Sequence, residues 1–213
     1  RGMERLGNLE SVQLLVARLR SEKDPAVVRS IQISFKRVAI RLEQPDRIWK
    51  EAILPALSLP AAGELEARLL PLLDAVASPE TLARCIERVR GNDAVLARAA
   101  EQALIRWRSL EVCTYWLSVL NDQARADADR DQAVRCIDLA LRSDIHSDSP
   151  KLVAEKAAEL FLASENKALR AKLLAVVGGL PNRMKSSFYN AVSPQLGSLP
   201  DYREQLEALN KQQ

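Results

Sequence analysis

Apolar residues recur at helical spacing along almost the whole chain, and no other feature constrains the fold as tightly. Leu9, Val12, Leu15, Val16 and Leu19 share one helix face; after Asp24-Pro25, Val28, Ile31, Phe35, Val38 and Leu42 share the next. Proline, glycine and aspartate cut the pattern into segments of 11 to 18 residues, and no strand-like alternation survives between them. Pro25, Pro45, Pro60, Pro79, Pro150, Pro181 and Pro200 sit at the joints, where a residue without an N–H is tolerated in a helix's first turn. Composition agrees: the 213 residues include 33 Leu and 30 Ala but only 7 Gly, which argues against a loop-rich β sandwich. A 47% hydrophobic, 28% charged mixture argues equally against disorder.

The segments pair into a recurring unit. The second helix of each pair is expected to open with an acid and to carry an arginine about one turn later: Asp24 and Arg29, Glu64 and Arg68, Asp93 and Arg98, Asp131 and Arg135, Glu165 and Arg170, with a looser Asp201 and Arg203. Successive arginines lie 30 to 39 residues apart. With 22 arginines in the chain, arginine alone proves little, so the weight rests on the joint pattern of acid, arginine and small or apolar residues. The runs Asp93 to Leu104 and Asp131 to Leu141 are nearly superimposable.

On these residues the chain resembles the HEAT-repeat family, whose second helix opens with a D-P-x-V-R-like signature. Asp24-Pro25-Ala26-Val27-Val28-Arg29 looks like that signature with one extra residue, and the third and fourth units keep the acid, an aliphatic residue and the arginine. The W-x₂-L-G-x₂-Y pattern of tetratricopeptide repeats is absent. The resemblance implies an all-α fold: a right-handed α-α superhelix of about six helix pairs filling residues 1–213, with repeats near 9–43, 45–78, 79–108, 109–144, 149–180 and 181–210. A lone helix pair cannot bury its apolar stripe, so neighbours stack and share a continuous core. The acids are then expected at helix starts, where they meet orphan N–H groups and the positive end of the dipole. The arginines are expected to reach carbonyls or carboxylates of the adjoining repeat. Pro55 and Pro71, inside helical patterns, should kink or shorten their helices.

Charge and reactive residues narrow the function classes. Net charge is only +3, although residues 1–50 carry 11 basic and 6 acidic side chains. Cys85, Cys113 and Cys136 form no C-x-x-C pair and fall among apolar residues, so buried free thiols and a reducing, cytoplasmic setting are expected. One histidine, His146, cannot build a zinc site, nor the several His-Glu pairs of the iron-dependent hydroxylases in the HEAT family; no metal and no cofactor are expected. His146 lies near Asp144, but no nucleophile stands at a recognisable spacing, and Ser149-Pro150 reads as a helix cap. Gly178-Gly179 follows an aliphatic helix and precedes Pro181, so it reads as a C-terminal cap rather than a phosphate loop. No apolar stretch is long enough to cross a bilayer, so no membrane contact is expected. The opening Arg1-Gly2-Met3 fits a start at Met3 behind a tag remnant or excision from a longer polypeptide.

These features point away from catalysis and towards a protein-interaction scaffold or adaptor, with a concave groove for a protein or peptide. Three and seven residues past the register arginines stand Gln32 and Lys36, Glu101 and Ile105, Asp138 and Arg142, with Pro71, Ala75, Leu173 and Val177 as equivalents elsewhere. Gln32, Lys36, Glu101, Asp138 and Arg142 are therefore the expected partner-binding residues. The runner-up is a nucleic-acid-binding HEAT-like solenoid, similar to DNA glycosylases of that type. It would use Arg29, Lys36, Arg37, Arg41, Arg47 and Lys50 together with Arg106-Trp107-Arg108. Trp49, Trp107, Tyr115 and Trp116 are expected in the core, although an exposed Trp107 between two arginines would make an anchor.

Overall fold

A computed structural model describes residues 8–60, 62–145 and 150–211, and among them every regular element is helical. The chain divides into two compact units, Arg1–Trp107 and Arg108–Gln213. His146 and the Ser149 cap lie outside the described residues. No helix among those described is long and apolar enough to cross a membrane.

In the first unit, α1 (Leu9–Ser21) packs against α2 (Pro25–Leu42). A short helix α3 (Pro45–Ile48) passes through a π turn (Trp49–Ile53) into α4 (Leu54–Leu57). Helix α5 (Gly63–Leu69) tightens into a 3-10 segment (Leu70–Val76), and α6 (Pro79–Arg90) pairs with α7 (Ala94–Arg106). The starts follow from local chemistry. Asp24 accepts the Ala26 N–H, Asp93 accepts those of Val95 and Leu96, and Ser78 forms a capping box with Thr81 before Pro79. At the end of α2, Glu43 takes the left-handed conformation (φ 50°) that ordinarily favours glycine.

Both interior prolines change the hydrogen-bond period without ending the helical run. Pro55 has no N–H to offer the Glu51 carbonyl four residues back. There the backbone widens into the π turn, and Gln13 Nε2 of α1 donates to Glu51 O at 2.9 Å. At Pro71 the helix narrows to 3-10 instead, and Arg106 of α7 donates to the Pro71 carbonyl. Gln13 thus fills the acceptor that Pro55 leaves open, whereas Arg106 bonds the carbonyl of Pro71 itself.

The unit is bound across its helices by buried apolar residues and by charged side chains. Phe35, Ile53, Leu69, Leu73, Val76, Ala100, Leu104 and Trp107 are almost fully buried. Arg68 of α5 donates to Leu19 O and Glu22 O at the end of α1, where orphan carbonyls and the negative end of the dipole favour a cation. The carboxylate of Glu66, also on α5, receives Arg84 and Arg88 of α6 (2.7 Å each).

In the second unit, α8 (Val112–Asn121) pairs with α9 (Asp127–Ile145), α9 touches α11 (Lys167–Gly178), and α10 (Pro150–Ala163) packs on α12 (Asn182–Val192). Two 3-10 turns, Ser193–Ser198 and Pro200–Tyr202, lead into α13 (Arg203–Lys211). Asn166 caps α11 by accepting the Leu169 N–H, and the Gly179 N–H closes its other end on Val176 O and Val177 O, the cap expected of Gly178-Gly179. Two expected starts are displaced: Asn166 rather than Glu165 caps α11, and Asp131 does not open its helix. Asp131 lies inside α9, which begins at Asp127, because Asp127 and Asp129 are equally suited to the positive end of the helix.

Phe161 is fully buried at the centre of an aromatic cluster, edge-on to Phe188 (5.8 Å between centroids) and to Tyr202 (5.4 Å). The guanidinium of Arg170 sits 5.3 Å from the centroids of both Phe161 and Tyr202, and its Nε donates to Phe161 O at 3.2 Å.

All three cysteines are buried free thiols. Burial first, and the nearby Asp74 carboxylate second, push the Cys85 thiol up to about 12 from an ordinary 9.0. Above pH 9 the unfolded chain releases this proton while the folded chain retains it. Stability should therefore fall by about 1.4 kcal/mol per pH unit from pH 9 towards 12 on this group's account. Cys85→Ala should flatten that limb in urea titrations at pH 8, 9.5 and 10.5; identical limbs in both proteins would contradict it.

Candidate partner-binding surface

In the first unit the elements expected as second helices, α2, the 3-10 segment and α7, touch in a row and are cross-linked. Lys36 Nζ of α2 meets Asp74 Oδ1 of the 3-10 segment at 2.7 Å, and Arg106 Nε of α7 meets Asp74 Oδ2 at 3.4 Å, so one carboxylate ties α2, the 3-10 segment and α7 together. Gln32 Nε2 donates to Arg68 O at 2.8 Å. Gln32 and Lys36, expected to face a partner, are thus engaged between helices, and Lys36 is only 27% exposed. Glu101 is partly exposed on α7. In the second unit Asp138 and Arg142 form an i,i+4 pair on α9 at 2.9 Å, each largely neutralising the other. Gln32, Lys36 and Glu101 belong to the first unit, Asp138 and Arg142 to the second.

The register arginines also divide. Arg68 and Arg170 reach neighbouring helices, whereas among the described residues Arg135 meets only Gln132 of its own helix at 3.4 Å. Arg29 and Arg98 are exposed, and the side chain of neither makes an ion pair or hydrogen bond among the described residues. Arg98 borders a shallow slot of about 390 Å³ on the second-helix row, lined by Ala67, Pro71, Ala94, Val95, Ala99 and Gln102. Val95 is 67% exposed beside it. The slot has an apolar floor of small residues, one uncommitted cation at its edge and an amide beside that cation.

A groove of about 530 Å³ lies in the second unit, between residues 109–111 and α10. Ser109, Leu110 and Glu111 form one wall; Leu152, Glu155, Lys156 and Glu159 form the other. Neither the slot nor the groove was visible from arginine spacing. Their readable signals were an aliphatic residue off the core face of its helix, Val95 in α7 and Leu152 in α10.

Among the described residues no group of three or more His, Cys, Asp or Glu side chains could hold a metal ion. Trp107 is 2% exposed, and Trp49, Tyr115 and Trp116 are buried, which places the aromatics in the core and removes Trp107 as a surface anchor. Lys36 and Arg106 are held by Asp74 and Arg47 by Glu51.

Comparison with known proteins adds no relative. No protein-family description matches the chain, and neither a curated protein nor a solved structure matches it.

Proposed function

We propose that this chain is a non-enzymatic protein-interaction scaffold, a HEAT-like array of helix pairs whose second-helix surface receives a segment of a protein partner. One observation carries the reading: where Lys36 and Arg106 are held by Asp74, Arg98 stays uncommitted next to an exposed Val95 and an apolar slot. Arginine beside an apolar pocket is the usual composition of an interface hot spot. The complementary ligand is an acidic, aliphatic segment, with an aliphatic side chain against Ala67, Pro71 and Ala99 and a carboxylate on Arg98. The helix-pair reading draws support from second helices that contact one another in chain order, α2 to the 3-10 segment and that segment to α7. It also draws on Arg68 bonding across helices as the resemblance implies.

Nucleic-acid binding has weaker support, since its expected anchor is buried and several of its expected cations are paired with carboxylates. Fluorescence anisotropy with a labelled Glu/Leu peptide, and separately with duplex DNA over a salt series, distinguishes the two. The peptide should bind, and Arg98→Glu or Val95→Asp should weaken it by about tenfold or more with helicity and melting unchanged. Steeply salt-dependent DNA binding with no peptide binding would replace this reading by the nucleic-acid one.

A further inference from the structure

The groove of the second unit differs in chemistry from the slot just described. Leu152, Glu155, Lys156 and Glu159 follow i, i+3, i+4, i+7 spacing on α10 and so share one face. The opposite face, with Val153, Ala157, Leu160 and Phe161, is buried. Leu152 is 53% exposed, an aliphatic side chain left in water among charges.

The charges are not equally available. Lys156 Nζ touches Glu159 Oε1 and Oε2 at 2.9 Å each and Thr114 Oγ1 of α8 at 3.0 Å. An ammonium has three donors, and all three are occupied, with the side chain only 17% exposed. It therefore offers an incoming anion nothing. The Glu111 side chain, by contrast, makes no ion pair or hydrogen bond among the described residues. Glu155 meets only Lys151, at 3.6 Å, in a pair whose side chains are 50% and 72% exposed and well screened. Glu159 is 55% exposed, and its carboxylate retains acceptor capacity on the solvent side.

We infer that this groove is a docking site for a cationic, aliphatic peptide segment of another protein, with an aliphatic side chain against Leu110 and Leu152 and Lys or Arg groups on Glu111, Glu155 and Glu159. Charge complementarity selects the occupant, because the lining holds three carboxylates against one internally satisfied ammonium. The chain's overall charge of +3 does not draw cations to it, so capture depends on this local field. A volume of about 530 Å³ accommodates a few side chains, the anchors presented by one or two turns of a helical ligand.

The experiment uses the full chain and a fluorescein-labelled peptide with Lys and Leu at i and i+4, alongside analogues with Glu in place of Lys and Ser in place of Leu. Anisotropy should show binding of the Lys/Leu peptide and at least tenfold weaker binding of both analogues. Glu155→Lys and Leu152→Asp, both at exposed positions, should each weaken binding about tenfold with an unchanged circular dichroism spectrum. Arg98→Glu should bind this peptide like the wild type, which separates failure here from failure of the acidic-segment reading. No binding by the wild type at millimolar peptide, or equal binding by the two groove variants, overturns the inference. A concentration-dependent dimer in sedimentation that Leu152→Asp abolishes would assign the groove to a second copy of the chain and likewise overturn it.

Discussion

Phe161→Ala should lower stability by about 3 to 5 kcal/mol, the largest single effect expected in the second unit. Phe161 is fully buried, so its removal forfeits the transfer energy of the ring and leaves a cavity that α10 and α12 cannot both close. The loss extends beyond area. Two edge-to-face contacts, to Phe188 and Tyr202, disappear together, and each such pair contributes about 0.5 to 1.5 kcal/mol. Arg170 would keep its bond to the Phe161 backbone carbonyl but lose one of the two rings flanking its guanidinium. Arg170→Lys should therefore also cost about 1 to 2 kcal/mol, since an ammonium has neither the plane nor the fork that the site employs. Urea denaturation followed by circular dichroism checks both. A Phe161→Ala midpoint within error of the wild type, at equal m value, would mean that the ring is not at the centre of the cluster.

Glu66→Ala should cost about 3 kcal/mol, the largest effect expected from a charged residue. The Glu66 side chain is 8% exposed and holds Arg84 and Arg88, which stand one turn apart on α6 at 27% and 28% exposure. Without the carboxylate two half-buried guanidiniums face each other with only the exposed Glu87 left to them, at 3.1 Å from Arg84 and 3.8 Å from Arg88. Because both arginines retain some contact with water, the value falls at the low end of the range for a broken buried pair. In the wild type the same carboxylate raises the Arg88 guanidinium above its ordinary value through its hydrogen bonds, and in the variant a guanidinium stays charged without it. Glu66→Gln should fall between the wild type and alanine, retaining a hydrogen bond but not the charge. Replacing Glu66, Arg84 and Arg88 together by leucine or methionine should recover much of the loss. A Glu66→Ala cost under about 0.5 kcal/mol in the same assay would show that water replaces the carboxylate there.

Glu66 also marks the limit of what residue patterns disclose. Leu65, Glu66, Leu69, Leu70 and Leu73 fall at core spacing, so helical period alone places a charge inside. That the charge belongs there, and which cations meet it, depends on α6, 18 and 22 residues further along. Glu64, chosen as the acid paired with Arg68, does form that pair. The same arginine's more consequential partners are carbonyls at the end of α1, 46 and 49 residues earlier. The candidate binding residues show the same limit. Equal spacing put Gln32, Lys36, Glu101, Asp138 and Arg142 in one class, but whether a long polar side chain reaches water or a neighbour depends on the distance to the next helix. Asp74 lies close enough to Lys36 to hold it, whereas the Arg98 side chain has no ion pair or hydrogen bond among the described residues.

The sequence by itself determined most places where helices start, stop or are interrupted, because those events obey forces acting within a few residues. Asp24, Ser78, Asp93 and Asn166 cap their own N–H groups, Gly179 closes α11, and Pro55 and Pro71 withhold donors wherever the chain carries them. It determined equally that the tryptophans and cysteines are inside, since apolar spacing on an amphipathic helix permits one buried face. Only the tertiary structure decided which charged groups pair across helices, which stay uncommitted, and that Leu152 is left facing water beside carboxylates. Those outcomes depend on contacts between residues tens of positions apart, where a displacement of one helical turn exchanges a partner for solvent, and no local pattern encodes that distance.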